Sequence, residues 1–396
     1  MANELMVRVN NGTLLLEAQG RIDTTNAAEC DRIITEALKQ HSGFPVVLDC
    51  EKLEYISSVG LRVVLKLRKL VADMKVVNVA SEVYEIFEMT GFTEIMTIEK
   101  AYRRFSVEGC EVIGHGANGD VYRLDADTII KVYHNPDSLA DIQRERELAR
   151  KAFVLGIPSA IPYDVVKIGN EYGSVFELLD AKSIARLLQS EPERLDEFVS
   201  LSVDLLKKLH ATEVESNIVP DIKQIVLGWV DFLEPHLPQE TWKKLRRMVE
   251  EVPPDNHLVH GDYHIKNVMV QNGEGLLIDM DTLAHGNAVF EFGSIYISYI
   301  GFRLEDGSGF SEYFSLPDDM LREFWEKTLR LYFDTDDEAV LKEKEDCAAL
   351  VGTVRLYRRA IRHGKAGDSH AAEIIDLHRK RLIELVDTVD TLVFEQ

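Results

Sequence analysis

Residues 260–267 read HGDYHIKN, and LLIDMD follows at residues 276–281. Asp262 lies in a polar segment, where its carboxylate can accept the proton of a hydroxyl group. Asn267 and Asp279 carry oxygen atoms of the kind that Mg²⁺ binds. The spacing of these three side chains predicts a phosphoryl-transfer site with Asp262 as the catalytic base and with Asn267 and Asp279 as the metal ligands.

Two histidines flank this candidate base. His264 follows it closely enough for a cationic or hydrogen-bonding group to contact the transferred phosphate, so we include it as a catalytic candidate. A structural loop histidine is the alternative. His260 precedes the base and is interpreted as holding the loop backbone. A zinc site is excluded, since no cysteine or paired histidine is suitably spaced on one element.

A glycine-rich segment lies upstream, where residues 114–121 read GHGANGDV and fit the pattern G-x-G-x-x-G-x-V. Glycine lets backbone N–H groups approach phosphate oxygens closely. The residues that follow alternate like a strand, which favours a loop folded over ATP instead of a dinucleotide-binding turn. An ordinary glycine hairpin is the alternative. The ATP-binding candidates here are Gly114, Gly116, Gly119 and Val121.

Lys131, in TIIKVY, is on the next predicted strand, where its ammonium group can bridge the phosphates of ATP if an acidic partner holds it. The charged helix predicted over residues 138–155 offers Glu145 and Glu147. We prefer Glu147, because it directly precedes the apolar stripe of the helix, and the sequence leaves both open.

Composition and charge limit the class of protein. The 396 residues point to more than one domain, and the formal charge of −23 opposes binding to nucleic acid or to an anionic membrane surface. The four scattered cysteines indicate reduced thiols, and the N-terminal residues contain no apolar leader. We therefore expect a cytoplasmic protein without nucleic-acid or membrane partners.

The order of predicted elements changes near residue 103. Before it, strands and helices alternate: a hairpin over 5–18 and a helix from Ala27 are followed by further α/β elements, ending in a strand at 93–98. After it, a strand-rich region is followed by a mostly helical one. The predicted organisation is a regulatory α/β domain at 1–102 and a bilobal α+β domain at 103–396, with lobes at 103–180 and 181–396.

The motif HGDYHIKN…LLIDMD closely resembles the hallmark of the aminoglycoside phosphotransferase and choline kinase superfamily, and the resemblance covers about residues 103–396. It implies a protein-kinase-like fold that transfers phosphate from ATP and Mg²⁺ to a hydroxyl group. It also implies that Lys131 binds phosphate and that residues 176–181 (FELLDA), including Glu177, form the adenine-contacting hinge. Glu291 stands in FEFG, where the family often has an aspartate, so its role is open.

The segment LDCEKLEYISSVGLRVVL at 48–65 resembles the core of a STAS domain, the fold of anti-sigma factor antagonists. That resemblance matches Ser58 to the phosphorylated serine of the family, while Ser57 replaces the usual aspartate. Plain capping of the helix by either serine is the alternative. It also implies a protein partner for this domain.

Three functions remain in competition. The first is an ATP-dependent phosphotransferase that acts on a small hydroxyl compound, with amino sugars and amino alcohols as the first class to test. The second is a protein kinase, disfavoured because the segment after Asp281 passes quickly into a helix. The third is a nucleotide-sensing scaffold without activity. Residues Arg355, Arg358, Arg359 and Arg362 are read as a solvated or salt-bridged helix face, with an anion site as the alternative.

Overall fold

The computed structural model describes residues 5–10, 12–115, 119–135, 138–306, 311–364 and 368–394. The chain divides into two compact units: residues 1–106 with 166–169, and residues 107–165 with 170–396. The division falls a few residues after the boundary predicted at 102/103. Within the described ranges, no helix is long and apolar enough to cross a membrane.

The first unit is built on a five-stranded sheet of order β1-β2-β3-β4-β5, in which β1 and β2 form the predicted antiparallel hairpin and the other neighbours are parallel. Alternate residues Leu14, Leu16 and Ala18 of β2 are buried, which fixes one face of the sheet against the helices. The elements are β1 Leu5–Asn10, β2 Thr13–Ile22, α1 Ala27–Gln40, β3 Val46–Ile56, α2 Ser58–Leu70, β4 Lys75–Val79, α3 Ser81–Met89, α4 Phe92–Ile95, β5 Thr97–Lys100 and β6 Arg104–Phe105.

Two details of this unit bear on the predictions. The strand predicted at 93–98 is wrong: Gly91 adopts a left-handed conformation and starts the short helix α4, and the strand begins only at Thr97. At α2, the Ser57 hydroxyl accepts a hydrogen bond from the Gly60 amide at 3.3 Å and caps the helix. Ser58 is the first helical residue and is exposed, so it is not the capping residue.

The first strands of the second unit form an antiparallel sheet in which the spatial order is β11-β9-β8-β7. Beyond β11 lies β10, whose last residues also pair in parallel with β6. The predicted strand-rich region, charged helix and second hairpin are thereby confirmed. The elements are β7 Glu111–His115, β8 Gly119–Arg123, β9 Thr128–Tyr133, α5 Leu139–Val154, β10 Pro162–Ile168, β11 Glu171–Glu177 and β12 Lys182–Ser183.

The remainder of this unit is mainly helical and surrounds one large apolar core that includes Phe198, Phe292 and Trp325. A small sheet formed by β12, β14 and β15 and a two-stranded pair, β13 with β16, carry the polar motif segments. These elements are α6 Ile184–Ser190, α7 Leu195–His210, α8 Ile222–Phe232, α9 Gln239–Glu251, β13 Leu258–Val259, β14 Val268–Gln271, β15 Glu274–Leu277, β16 Ala284–His285, α10 Ala288–Tyr296, α11 Arg303–Asp306, α12 Ser311–Phe314, α13 Asp318–Phe333, α14 Glu338–His363 and α15 Ser369–Thr388, with short 3₁₀ turns at Pro192–Arg194, Glu234–His236 and Met280–Thr282 and a π-helical turn at Ile297–Gly301.

Candidate active site

A cleft of about 1800 Å³ lies in the second unit between the strand-rich region and the helical region. The glycine-rich hairpin β7–β8 covers one side of it. Gly119 permits this hairpin to pack closely on β9, because a Cβ there would lie 2.2 Å from the Val132 carbonyl oxygen. Gly116 lies outside the described residues. The predicted nucleotide-binding residues that line this cleft are Gly114, Gly119, Val121, Lys131, Glu177, Asn267 and Asp279.

Lys131 holds two carboxylates together at the back of the cleft. Its Nζ atom lies 3.0 Å from Glu145 Oε1 and 2.8 Å from Asp279 Oδ1, and only 16% of the side chain is exposed. Burial opposes the charge of Lys131, but Asp279 and Glu145 outweigh it and raise the pKa of the ammonium group above its ordinary value. Lys131 is therefore charged and fixed in position at neutral pH.

The preference for Glu147 as the partner of Lys131 is wrong. Glu147 is exposed and pairs with Lys151 one turn along α5. Glu145 lies on the buried face of that helix and also accepts a hydrogen bond from the Tyr133 hydroxyl. The two glutamates are two residues apart on a helix, so they point to different faces, and only one can face the cleft.

Asp279 is placed by an unusual backbone conformation, with φ 64° and ψ 61° in the left-handed region. Burial opposes the ionisation of its carboxyl, but Lys131 outweighs burial and holds the pKa of Asp279 below its usual range. Asp281 differs: burial and the neighbouring carboxylates of Asp279 and Glu145 raise the pKa of Asp281 to about 7. The second aspartate of LLIDMD is thus poised to titrate near neutral pH.

The HGDYHIKN segment forms a tight loop between β13 and β14. Gly261 has φ +79°, and a Cβ there would lie 2.7 Å from the Thr282 carbonyl oxygen, so only glycine fits. Asn267 donates its side-chain amide to the Asp262 carbonyl at 3.0 Å, which leaves the amide oxygen free to act as a ligand. The Ile278 amide donates to the Asn267 carbonyl at 3.0 Å, which places Asp279 next to Asn267. The loop thus brings the three predicted side chains together.

Glu291 anchors this loop from α10. Its fully buried carboxylate accepts hydrogen bonds from the backbone amides of His260 and Gly261. Burial opposes its charge, but His210, with Nε2 3.8 Å away, and the amide donors outweigh burial and lower the pKa of Glu291. The residue that departs from the family motif therefore holds the loop and does not face the cleft with the metal ligands.

The two loop histidines differ in role. His260 Nδ1 accepts from the Asp262 amide at 3.3 Å and its Nε2 lies 3.1 Å from the Ile278 carbonyl, as expected for a residue that holds the backbone. His264 Nε2 lies 3.6 Å from Asp262 Oδ2, and its Nδ1 is buried without a hydrogen-bond partner in the described part of the chain. Burial lowers the pKa of His264, so the imidazole is neutral at pH 7 and the cationic alternative is disfavoured.

The sequence analysis did not place Arg355 at the site. Its Nη1 atom donates to the Gly261 carbonyl at 2.8 Å and to the Ser294 hydroxyl at 2.9 Å, and its Nη2 atom lies 3.7 Å from Asp262 Oδ1. This position depends on a close crossing of α10 and α14 at Gly293 and Gly352, where a Cβ on Gly352 would lie 2.8 Å from the Gly293 carbonyl oxygen. The sequence signal available was the pair of glycines flanked by helical patterns.

The family comparison agrees with this arrangement. The model of the phosphotransferase enzyme family matches residues 109–323, more than half of the 396-residue chain. This chain belongs to that phosphotransferase family. The match spans the glycine-rich hairpin, Lys131, the HGDYHIKN loop and Asp279, and it supports an enzyme that transfers phosphate.

The first unit of this phosphotransferase matches a second family. The STAS domain model covers residues 4–104. A putative anti-sigma factor antagonist, BtrV of Bordetella bronchiseptica, is 33% identical over 92 residues, which are 22% of this chain and 78% of that protein. The predicted resemblance of the N-terminal domain is confirmed.

The first of two solved structures confirms the fold of the phosphotransferase. A thermostable mutant of the aminoglycoside phosphotransferase APH(4)-Ia, in a ternary complex with ADP and hygromycin B, is 12% identical with a TM-score of 0.50 and covers 77% of this chain and 97% of its own. ADP-bound APH(2'')-Ib is 16% identical with a TM-score of 0.46 and covers 75% and 98% of the two chains. At such identities the likeness concerns the fold alone.

Proposed function

We propose that this phosphotransferase moves the γ-phosphate of ATP to a hydroxyl group of a small molecule and uses Mg²⁺ to do so. The observation that supports this most is that Lys131 contacts both Glu145 and Asp279 in the cleft. Asp279 follows β15, and Asn267 and Asp262 lie on the HGDYHIKN loop. An ion pair with a purely structural role would not need these neighbours. Together the side chains offer a cation for phosphate, two oxygen ligands for a metal and a base.

The residues fit a magnesium ion held partly by substrate. Among the described residues, no group of three or more His, Cys, Asp or Glu side chains is arranged to bind a metal by itself. Mg²⁺ commonly takes only one or two protein ligands and completes its shell with phosphate oxygens and water. Asp279 and Asn267 would hold it here, and the ion, when bound, neutralises charge on the phosphates.

The chemical step follows from the placement of the side chains. Asp262 accepts the proton of the acceptor hydroxyl as its oxygen forms a bond to the γ-phosphorus, and the bond from that phosphorus to ADP breaks with its electron pair. Lys131 holds the remaining phosphates through its fixed ammonium group. His264, neutral and next to Asp262, is proposed to hydrogen-bond the transferred group, and its free Nδ1 atom is consistent with this.

The proposal also assigns nucleotide contacts to the glycine-rich hairpin and to the hinge segment. The hairpin glycines Gly114 and Gly119, with Val121 beside them, would cover ATP, since all three line the cleft. Glu177 ends β11 at the cleft wall, where its own carboxylate accepts from the Ile161 amide at 3.3 Å. Its side chain is therefore occupied, and the hinge segment would contact adenine through its backbone.

The acceptor is proposed to be small because little chain is available to bind a peptide. After Asp281 the chain makes one 3₁₀ turn, forms the short strand β16 and enters α10 at Ala288. A protein kinase normally has a long activation segment at this point. The STAS domain is proposed to bind a regulatory protein partner, and its exposed Ser58 at the start of α2 is the proposed phosphate acceptor.

The test compares two aspartate variants in the full chain. We expect Asp262→Asn to lower turnover by roughly 10²–10⁴-fold with little change in the Kd of MgATP, since the base acts only on the acceptor. Asp279→Ala should instead remove most of the Mg²⁺-dependent part of ATP binding. Asp196→Asn, on an exposed ion pair with Lys327, is the matched control and should behave as wild type.

Two results would contradict the proposal. Equal turnover of wild type and Asp262→Asn on an identified acceptor excludes that residue as the base. ATP binding that is the same with and without Mg²⁺ excludes the metal assignment. Asp262-dependent labelling of proteins, without turnover of any small hydroxyl compound, would instead favour a protein kinase.

A further inference from the structure

A cationic strip extends along α14 from Arg355, which lies beside the proposed catalytic base Asp262. Arg355, Arg358 and Arg362 are spaced three and four residues apart, so they share one helix face. Arg355 contacts Asp262, and Arg358 and Arg362 follow along the same face toward the end of the helix. We call these three residues the arginine strip.

Arg355 is fixed at the site and retains free donors. Its Nη1 atom contacts the Gly261 carbonyl and the Ser294 hydroxyl, while its Nη2 atom lies beyond hydrogen-bond distance from Asp262. A guanidinium group has five N–H donors, so most of them remain available to a ligand. An anion bound by Arg355 would lie directly beside the hydroxyl that Asp262 deprotonates.

Arg358 is held by aromatic rings and has no acidic partner. Its Cζ atom lies 5.9 Å from the centre of the Trp229 ring and 5.8 Å from that of Phe232. Burial and the neighbouring charges of Arg362 and Arg355 lower the pKa of Arg358. In the part of the chain that the structure describes, no carboxylate lies within ion-pair distance of Arg358 or Arg362.

Two acidic side chains on neighbouring elements, Asp231 and Glu305, already have partners. Asp231, on α8 beside Phe232, pairs with Arg246. Glu305 pairs with His378 at 2.8 Å and with Arg359 at 3.8 Å. Arg358 and Arg362 repel each other and Arg355, and within the described ranges neither of the two has a carboxylate partner, so an anionic ligand would compensate their charge.

We propose that the acceptor is an anionic hydroxyl compound, whose carboxylate or phosphate group binds Arg355 and Arg358 while its hydroxyl group faces Asp262. This deepens the proposed function and rests on it. The rise of one helical turn, about 5 Å, separates Arg355 from Arg358, so the anionic group lies near the reacting hydroxyl. The amino sugars and amino alcohols expected from the sequence are disfavoured, because an ammonium group would face the guanidinium groups.

The first experiment measures ATP consumption by the full chain against matched acceptors. One set is glycerol, glycerate and glycerol 3-phosphate, and the other is glucosamine, gluconate and glucose 6-phosphate. We expect a carboxylate or phosphate member to be used with a kcat/KM about tenfold or more above that of its neutral or amino counterpart. Preference for carboxylate or for phosphate identifies the group that binds. Preference for the amino or neutral members overturns the inference and leaves the proposed function intact.

The second experiment uses Arg358→Gln, which leaves a shorter polar side chain and removes the charge. Its KM for the anionic acceptor should rise about 10- to 100-fold, while kcat and the KM for ATP change little, because Arg358 is remote from the phosphates of ATP in this proposal. Arg330→Gln is the matched control, since Arg330 pairs with Asp336 and Glu338 on the surface. An unchanged KM in Arg358→Gln would overturn the proposal.

If none of the tested compounds is the natural acceptor, a binding measurement tests whether the arginine strip binds an anion. Inorganic phosphate is titrated into the protein saturated with Mg²⁺ and a non-hydrolysable ATP analogue, so that the nucleotide site is blocked. We expect binding at roughly millimolar concentration that weakens about tenfold or more in Arg358→Gln. Phosphate that does not bind wild type, or binds both proteins equally, overturns the inference. Failure of the protein to bind MgATP contradicts the proposed function itself.

Discussion

Replacement of Glu145 by glutamine tests how the cleft fixes Lys131, the proposed phosphate-binding lysine. The change removes one of the two carboxylates that hold Lys131, at 3.0 Å, and weakens the acceptor of the Tyr133 hydroxyl. Loss of a buried ion-pair partner costs about 3–5 kcal/mol when the remaining charge is left alone. Lys131 retains Asp279 at 2.8 Å, so the cost here approaches that of one charged hydrogen bond, about 1.5–3 kcal/mol.

That energy corresponds to a loss of roughly 10- to 150-fold in kcat/KM for ATP. The matched control is Glu147→Gln on the same helix, where an exposed glutamate loses its pair with Lys151 and the effect should remain below about 1 kcal/mol. Nucleotide titration and steady-state kinetics measure both variants, and circular dichroism checks that both are folded. An effect of Glu147→Gln equal to or larger than that of Glu145→Gln would refute the assignment of the pair.

Two further predictions concern pH and helix capping. The pKa of Asp281 is raised from 3.8 to about 7 in the folded protein, so the folded state binds more protons than the unfolded one between these values. Stability of the ligand-free protein should therefore fall as pH rises from about 4 to 7, and Asp281→Asn should remove that contribution. Thermal unfolding across this range measures it, and an equal slope in the variant would contradict the burial of this carboxyl. In the STAS domain, Ser57→Ala should lower the hydrogen-exchange protection of α2 by about 1 kcal/mol, while exposed Ser58→Ala should change it by less than about 0.5 kcal/mol. The reverse order would show that Ser57 is not the cap.

Local patterns were sufficient for most elements and for the motif loops. The hairpin of β1 and β2 and the helix α2 have short-range signals, namely turn residues and apolar periodicity. The spacing of the polar residues in HGDYHIKN predicted which side chains converge, because this motif forms a single tight turn before β14. The strand predicted at 93–98 was placed too early, since Gly91 with its positive φ starts the helix α4 and the strand begins only at Thr97.

The choice between Glu145 and Glu147 was available in the sequence but was read wrongly. The buried residues of α5 are Ile142, Leu148, Ala149 and Ala152, and Glu145 lies three residues from the first two of these. A glutamate on the apolar stripe is the one that faces the protein. The position of Arg355 at the site could not be predicted from the pattern of its own helix. Its partners are distant in sequence, and Gly352, the local signal for a close helix crossing, does not indicate which other segment α14 meets.

The close crossing of α10 and α14 at their glycines offers a way to change the acceptor preference of this enzyme without replacing a residue proposed to bind the substrate. Gly293 and Gly352 let the two helices meet backbone to backbone, and a Cβ on Gly293 would lie 2.4 Å from Val351 Cγ1. The depth of that crossing determines how far the Arg355 guanidinium extends over the catalytic loop. A laboratory-evolution campaign for new acceptors can therefore vary this contact as a spacer, and one added methyl group would move Arg355 together with the contacts that Glu291 and Ser294 of α10 make to the HGDYHIKN loop.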